Sequence, residues 1–333
     1  MPQSFDRIRS LLAALPGPDI AAEAAWAMRD PTLTKPPGAL GRLEEASRFL
    51  CAWRGRHPPR LDTVRARIFA GNHGVAARGV SAFPPAVTAQ MVANFQAGGA
   101  AVNQLCETFG VELRVMALDL DTPTADFSQG PAMSPAEFNT AFFAGFESVP
   151  ADTDLLCVGE MGIGNTTAAA AVAHALFGGQ ATDWVGRGTG VGDEGLSLKA
   201  RVVAEAIAVN RPSDPLEALR LVGGRELAAM AGAVLAARLN RVPVLLDGYV
   251  CTAAAAPLAQ AAPGALDHCM VAHVSAEPGH RRLLAELGKR PLFDLGMRLG
   301  EASGAVLAVG LMRAAIACHA GMATFGEAGV SEG

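Results

Sequence analysis

Leu155-Leu156-Cys157-Val158-Gly159-Glu160-Met161-Gly162-Ile163-Gly164-Asn165-Thr166-Thr167 sets an apolar run against three glycines, an acid, an amide and two hydroxyls, and an Ala- and Val-rich run follows to Leu176. The pattern reads as a short buried strand, a sharp turn and a buried helix whose first turn holds Asn165, Thr166 and Thr167 as caps. Glycines let backbone approach a ligand closely, and a helix N-terminus favours negative charge. The turn therefore suits a phosphate or carboxylate, although glycines also serve turns for steric reasons alone.

The same alternation extends outward from this unit. Strands are expected over 65–70, 113–118, 242–246 and 269–273, with helices over 135–146, 166–176, 224–239 and after Asp247-Gly248. This is the rhythm of an α/β fold with a parallel, doubly wound sheet. At the amino end, helices over 4–14 and 20–29 flank Pro16-Gly17-Pro18, with Asp19 as N-cap of the second, and a third runs to Arg54. A helix is expected over 86–106. At the carboxyl end, Met297 begins a long apolar helix reaching Cys318, with Glu301 in its first turns. An acid there serves as a dipole partner, as a mate for Arg298 or as a working base with a raised pKa.

Composition narrows the function classes. The chain has 333 residues, 50% of them hydrophobic, enough for a sizeable core. Its formal net charge of −5 provides no basic field, so nucleic acid is not an expected partner. The apolar stretches are interrupted by Gly, Pro or charge, so no membrane span is expected, and Met1 to Arg9 lack a signal-peptide pattern. Six cysteines without CxxC pairing suit reduced, buried thiols, and the expected location is cytoplasmic.

Several polar groups fall at strand ends, where open α/β sheets keep ligands. His73, in Gly71-Asn72-His73-Gly74-Val75, offers a base, a donor or a histidine satisfied within its turn. Phe83, in a proline-stiffened loop, serves either to stack on a flat ligand or to anchor the core. Lys35 and Arg42 flank the constrained loop Lys35-Pro36-Pro37-Gly38, either as anion contacts or as ordinary surface cations. A second glycine-rich loop, Gly186-Arg187-Gly188-Thr189-Gly190-Val191-Gly192-Asp193, opens a helix carrying Lys199. No acid ends a following strand and no GxxxxGK[ST] occurs, so neither a nicotinamide dehydrogenase nor a P-loop enzyme is indicated. His273, Glu277 and His280 are separated by a loop and a proline, which disfavours a shared metal.

With these residues assembled, the chain resembles the nicotinate-nucleotide:dimethylbenzimidazole phosphoribosyltransferase family. The resemblance rests on Lys35-Pro36-Pro37-Gly38-Ala39-Leu40-Gly41-Arg42-Leu43-Glu44, His73-Gly74-Val75, Gly159-Glu160-Met161-Gly162 with Asn165-Thr166-Thr167, and Val222-Gly223-Gly224. It continues through Pro243-Val244-Leu245-Leu246-Asp247-Gly248, Ser275-Ala276-Glu277 and Arg298-Leu299-Gly300-Glu301-Ala302-Ser303-Gly304. It implies a Rossmann-like parallel sheet flanked by helices (61–300), with a small helical domain from the terminal segments 1–60 and 301–333, and a homodimer.

The resemblance also implies a reaction needing no cofactor and no metal, with nicotinate mononucleotide and 5,6-dimethylbenzimidazole as substrates. Glu301 would be the base and Glu160 a second acid near the ribose. Gly162, Asn165, Thr166, Thr167, Gly188, Lys199 and Ser275 would hold the phosphate and ribose. Phe83, Met91 and His73 would face the base. Asn72 stands where Asp is common in the family, and Phe83 and Met91 where some relatives are polar. Two other readings remain: a non-catalytic sensor or carrier of the nucleotide or base, and a pyrophosphate-dependent phosphoribosyltransferase.

Overall fold

The computed structural model describes residues 3–188 and 190–331. Six strands, β1 (Val64–Ala70), β2 (Glu112–Ala117), β3 (Leu155–Met161), β4 (Val244–Leu246), β5 (Cys269–His273) and β6 (Pro291–Phe293), form one sheet in the order β2-β1-β3-β4-β5-β6. Every pairing is parallel. The helices are α1 (Gln3–Leu12), α2 (Ile20–Arg29), α3 (Arg42–Arg54), α4 (Ala86–Gln96), α5 (Ala101–Thr108), α6 (Pro135–Glu147) and α7 (Asn165–Phe177). They continue as α8 (Asp193–Asn210), α9 (Pro215–Val222), α10 (Arg225–Leu239), α11 (Tyr249–Ala261), α12 (Pro278–Glu286), α13 (Ser303–Gly321) and α14 (Phe325–Ala328).

Crossover helices cover both faces of a parallel sheet, so its central strands are buried on both sides and mostly apolar, with Arg65 and Arg67 of β1 and Glu160 of β3 as the charged exceptions. Leu155 and Cys157 of β3 point into one core with Ile68, Ala305 and Val309. Leu156 and Val158 point into the other with Leu246, Val271 and the alanines of α7, α10 and α11. Of the terminal helices, α2, α3 and α13 pack together, while α1 lies against α6, α10 and α11 on the opposite face. Helix α13 is long and apolar enough by composition to cross a membrane; here one side of it packs on the sheet, α3 and α5.

The small residues of α6 and α10 set a close helix crossing. A Cβ on Gly232 would lie 1.9 Å from the Phe142 carbonyl oxygen, and one on Gly145 would lie 1.8 Å from that of Ala229. Both gaps are far below van der Waals contact, so the helices must separate to admit a methyl. Gly232→Ala is expected to cost about 1–3 kcal/mol of stability by overpacking, read as a lower urea midpoint in equilibrium unfolding. An unchanged midpoint would mean that this crossing tolerates separation.

Two helix boundaries and one strand differ from the sequence reading. The helix expected over 86–106 is two helices, because Gly98 adopts φ +80° and Gly99 sits against the Asn94 side chain. The carboxyl-terminal helix begins at Ser303, not Met297, because Gly300, Glu301 and Ala302 have φ values of +81°, +62° and +60°. Glu301 therefore belongs to a left-handed turn ahead of α13. Strand β6 carries no sequence signal stronger than its three residues.

Candidate functional site

Strand register brings the site together. Val158 pairs with Leu246 and Leu246 with Val271, so β4 ends first and β3 and β5 run on past it to Met161 and His273. The residues around these strand ends face a common space outside the sheet, where parallel sheets keep ligands. A cleft of about 620 Å³ opens there, lined among others by Glu160, Asn165, Thr166, Ser275, Glu277 and Arg298. A smaller recess of about 270 Å³ adjoins it through Gly162, Thr166 and Gly188, and is closed by Ser81 and Lys199.

The recess is an anion cradle in its composition. Lys199 is 1% exposed and donates to Thr166 Oγ1 at 2.8 Å and to the Gly186 carbonyl at 2.9 Å. Burial pulls its amine down to about 8, with the Glu277 charge acting against that shift. The amino end of α7 completes the wall, with its backbone positioned by Gly164 at φ +97°. The sequence-expected side-chain caps do not form: Gly164 is the N-cap, the Asn165 amide donates instead to Glu160, and Thr166 accepts from Lys199. Thr167 is fully buried, its hydroxyl without a partner among the described residues, and lines neither cavity.

The second glycine loop closes the cleft from the opposite side. Glu277 Oε1 accepts the Gly188 amide at 2.9 Å, and Arg298 donates to the Gly188 carbonyl at 3.3 Å. A Cβ on Gly186 would lie 2.0 Å from Glu277 Oε2, so only glycine lets the loop come this close. Thr189 of this loop lies outside the described residues. Ser275 is held by its amide donating to His280 Nδ1 at 2.8 Å and by its hydroxyl accepting the Glu277 amide at 3.3 Å.

Two carboxyl groups dominate the electrostatics. Burial, with Asp247 and Glu226 adding negative charge and Glu301 contributing further, lifts Glu160 to about 8 against the opposing Asn165 hydrogen bond. Burial and then the Asp247 charge lift Glu301 to about 7. The cleft lining runs through Arg298, Leu299 and Gly300, and Glu301, 6% exposed, sits one residue beyond it. Two acids with proton affinities near neutrality are what proton transfer at neutral pH requires.

Several expected contacts fall elsewhere. His73 is buried and hydrogen-bonds Glu226 Oε1 beneath the glycine turn: a Cβ on Gly162 would lie 3.1 Å from that oxygen and 3.4 Å from His73 Nε2. It supports the turn from behind and does not line the cleft. Phe83 is 48% exposed on its loop, and Met91 packs against the core on α4, which lies over β2 and β3; neither lines the two cavities. Lys35 meets Asp30 and Glu44, each at 2.9 Å, so its charge is already matched, and Arg42 pairs with Glu45. His273, Glu277 and His280 do not converge, and no group of three metal-ligating side chains occurs among the described residues. The sequence reading does not assign Asp247, Tyr249, His273, Glu277 or Arg298 to the site. The strand-end rule already marks His273 and Glu277 after β5, and applied to β4 it finds Asp247 and Tyr249.

These features define an α/β protein with an anion cradle at a helix N-terminus beside buried acids at the carboxyl ends of a parallel sheet. A family model described as Phosphoribosyltransferase (DBI_PRT) matches residues 15–330. The nicotinate-nucleotide--dimethylbenzimidazole phosphoribosyltransferase of Jannaschia sp. (strain CCS1) is 59% identical over 100% of this chain and 99% of its own length. That of Rhizobium etli (strain CIAT 652) is 57% identical over 98% of this chain and 97% of its own. The crystal structure of the enzyme of the same name from Thermus thermophilus superposes with a TM-score of 0.88 at 44% identity, covering 95% of this chain and 100% of that one. The chain belongs to the DBI phosphoribosyltransferase family.

Proposed function

We infer that the chain transfers the 5-phosphoribosyl group of nicotinate mononucleotide to 5,6-dimethylbenzimidazole, giving alpha-ribazole 5′-phosphate and nicotinate, with Glu301 as general base. The observation that carries the base assignment is a buried carboxyl, ionising at about 7 and without a hydrogen-bond partner among the described residues, at the edge of a cleft that adjoins an anion cradle. One benzimidazole nitrogen attacks ribose C1′ while the bond from C1′ to the nicotinate nitrogen breaks. That bonding pair returns to the pyridine ring, so nicotinate leaves uncharged at nitrogen and needs neither acid nor metal. The proton on the other benzimidazole nitrogen passes to the Glu301 carboxylate.

In this reading the 5′-phosphate occupies the Lys199 recess against the α7 terminus, and the ribose lies between Glu160 and Ser275. With a proton affinity near 8, Glu160 is mostly protonated at neutral pH and can donate a hydrogen bond to a ribose oxygen. The base lies toward Leu299 and Gly300. The enzyme works as a homodimer in the cytoplasm.

The test is incubation with nicotinate mononucleotide and 5,6-dimethylbenzimidazole, followed by chromatography. Nicotinate and the new nucleotide should appear together; ligands that bind and return unchanged would make the chain a carrier. Lys199→Ala is expected to weaken nicotinate mononucleotide by about 1.5–3 kcal/mol, the scale of a charge-assisted hydrogen bond, and to leave base affinity nearly unchanged. Titration calorimetry with each ligand separates the two, and equal losses for both would remove the phosphate from this recess.

A further inference from the structure

Asp247 follows β4 directly before Gly248 of the cleft lining, is 0% exposed and takes no part in the transfer step above. Its Oδ1 accepts the Ala305 amide at 2.9 Å, so a strand-end acid holds the first turn of α13. The same oxygen lies 3.6 Å from His273 Nε2, and its Oδ2 is buried without a partner among the described residues. The chain is shaped to allow this approach: a Cβ on Gly304 would lie 2.8 Å from Asp247 Oδ1 and 2.1 Å from His273 Cδ2. From the other side, a Cβ on Gly159 of β3 would lie 2.3 Å from the Ala302 nitrogen. The left-handed turn bearing Glu301 is thus pinned between β3 and the Asp247-held helix start.

We propose that Asp247 is a positioning residue for Glu301: it ties the start of α13 to the end of β4, fixing the turn that bears Glu301, and sets a buried carboxyl within electrostatic reach of it. The role rests on Glu301 being the base. The titratable groups around the acid come from every neighbouring element: Glu160 and Cys157 on β3, Cys251 on α11, His273 on β5 and Glu301 itself. Glu226 on α10 acts on Glu160 from below, and Arg298 is engaged with the Gly188 carbonyl. Among these described groups, His273 is the one base around Asp247. Burial lowers its proton affinity, but Asp247 and the neighbouring backbone outweigh that and raise it. A like charge disfavours ionisation of a second acid, so Asp247 helps hold the Glu301 proton affinity near neutrality.

Asp247→Asn separates the two parts of the role, because the amide oxygen still accepts from Ala305 while the charge is gone. The wild-type rate constant kcat/KM for the base, at saturating nicotinate mononucleotide, is expected to rise with pH through about 7. In Asp247→Asn that rise should move about one pH unit toward acid, with KM for nicotinate mononucleotide unchanged. Asp247→Ala, which also removes the acceptor, should lower kcat at every pH, and Asn should restore it at high pH. An unmoved rise in Asp247→Asn, with Glu301→Gln having abolished it, overturns the proposal and leaves the base assignment standing. Persistence of the rise in Glu301→Gln overturns both. Should the Asn variant not fold, Asp247→Ser, uncharged and with a hydroxyl that can accept from Ala305, decides by the same pH profile: a rise displaced toward acid from about 7 supports the proposal, and a rise left in place overturns it.

Discussion

Glu301→Gln is expected to fold, to bind both substrates and to lose about two to four orders of magnitude in turnover, the usual worth of a positioned base. Gln is nearly isosteric, and among the described residues the Glu301 carboxyl makes no hydrogen bond that the exchange would break. The left-handed backbone at this residue costs the variant no more than it costs the wild type. The loss therefore falls on proton transfer. Single-turnover rates at saturating ligands measure it, and turnover within a few-fold of wild type would take Glu301 out of the base role.

The second large effect belongs to Gly300. Its φ of +81° already disfavours any side chain, at about 1–2 kcal/mol for an alanine. A Cβ there would also lie 2.2 Å from Glu160 Oε1, and Glu160 has little room to yield because it is buried and tied to Asn165. Gly300→Ala must therefore push the turn away from β3 and carry Glu301 with it. A displacement of about 1 Å at a reacting group costs on the order of 100-fold, so kcat is expected to fall by about that factor while the chain stays folded. Wild-type kcat in a folded Gly300→Ala would show that the turn does not set the position of Glu301.

What is legible in the sequence follows from how local each signal is. The unit β3–turn–α7 is readable because an apolar run, three glycines and a helical run each constrain their own few residues. The place of Lys199 is readable because a glycine loop opening a helix fixes which side chain comes one turn or two later. The turn at Gly300-Glu301-Ala302 is not readable as such, since Glu and Ala are good helix formers and only contacts with β3 and Asp247 hold them at positive φ. Phe83 lies apart from the cleft because exposure of a loop aromatic is set by tertiary packing, which its own residues do not encode. His73 is legible as a polar group at a strand end, but its partner Glu226 lies 153 residues away and directs it beneath the turn.

A carboxylate that acts as a base, and not as a nucleophile, requires that the base displace nicotinate in one step, and the configuration of the product at ribose C1′ tests that step most directly. A single displacement inverts that centre. The nucleotide made from nicotinate mononucleotide and 5,6-dimethylbenzimidazole, followed by proton NMR, should carry the base on the face opposite to the one nicotinate occupied. A product of retained configuration would mean two successive displacements through a ribosyl–enzyme intermediate, making a carboxylate of this cleft a nucleophile and contradicting the assignment of Glu301 as a base.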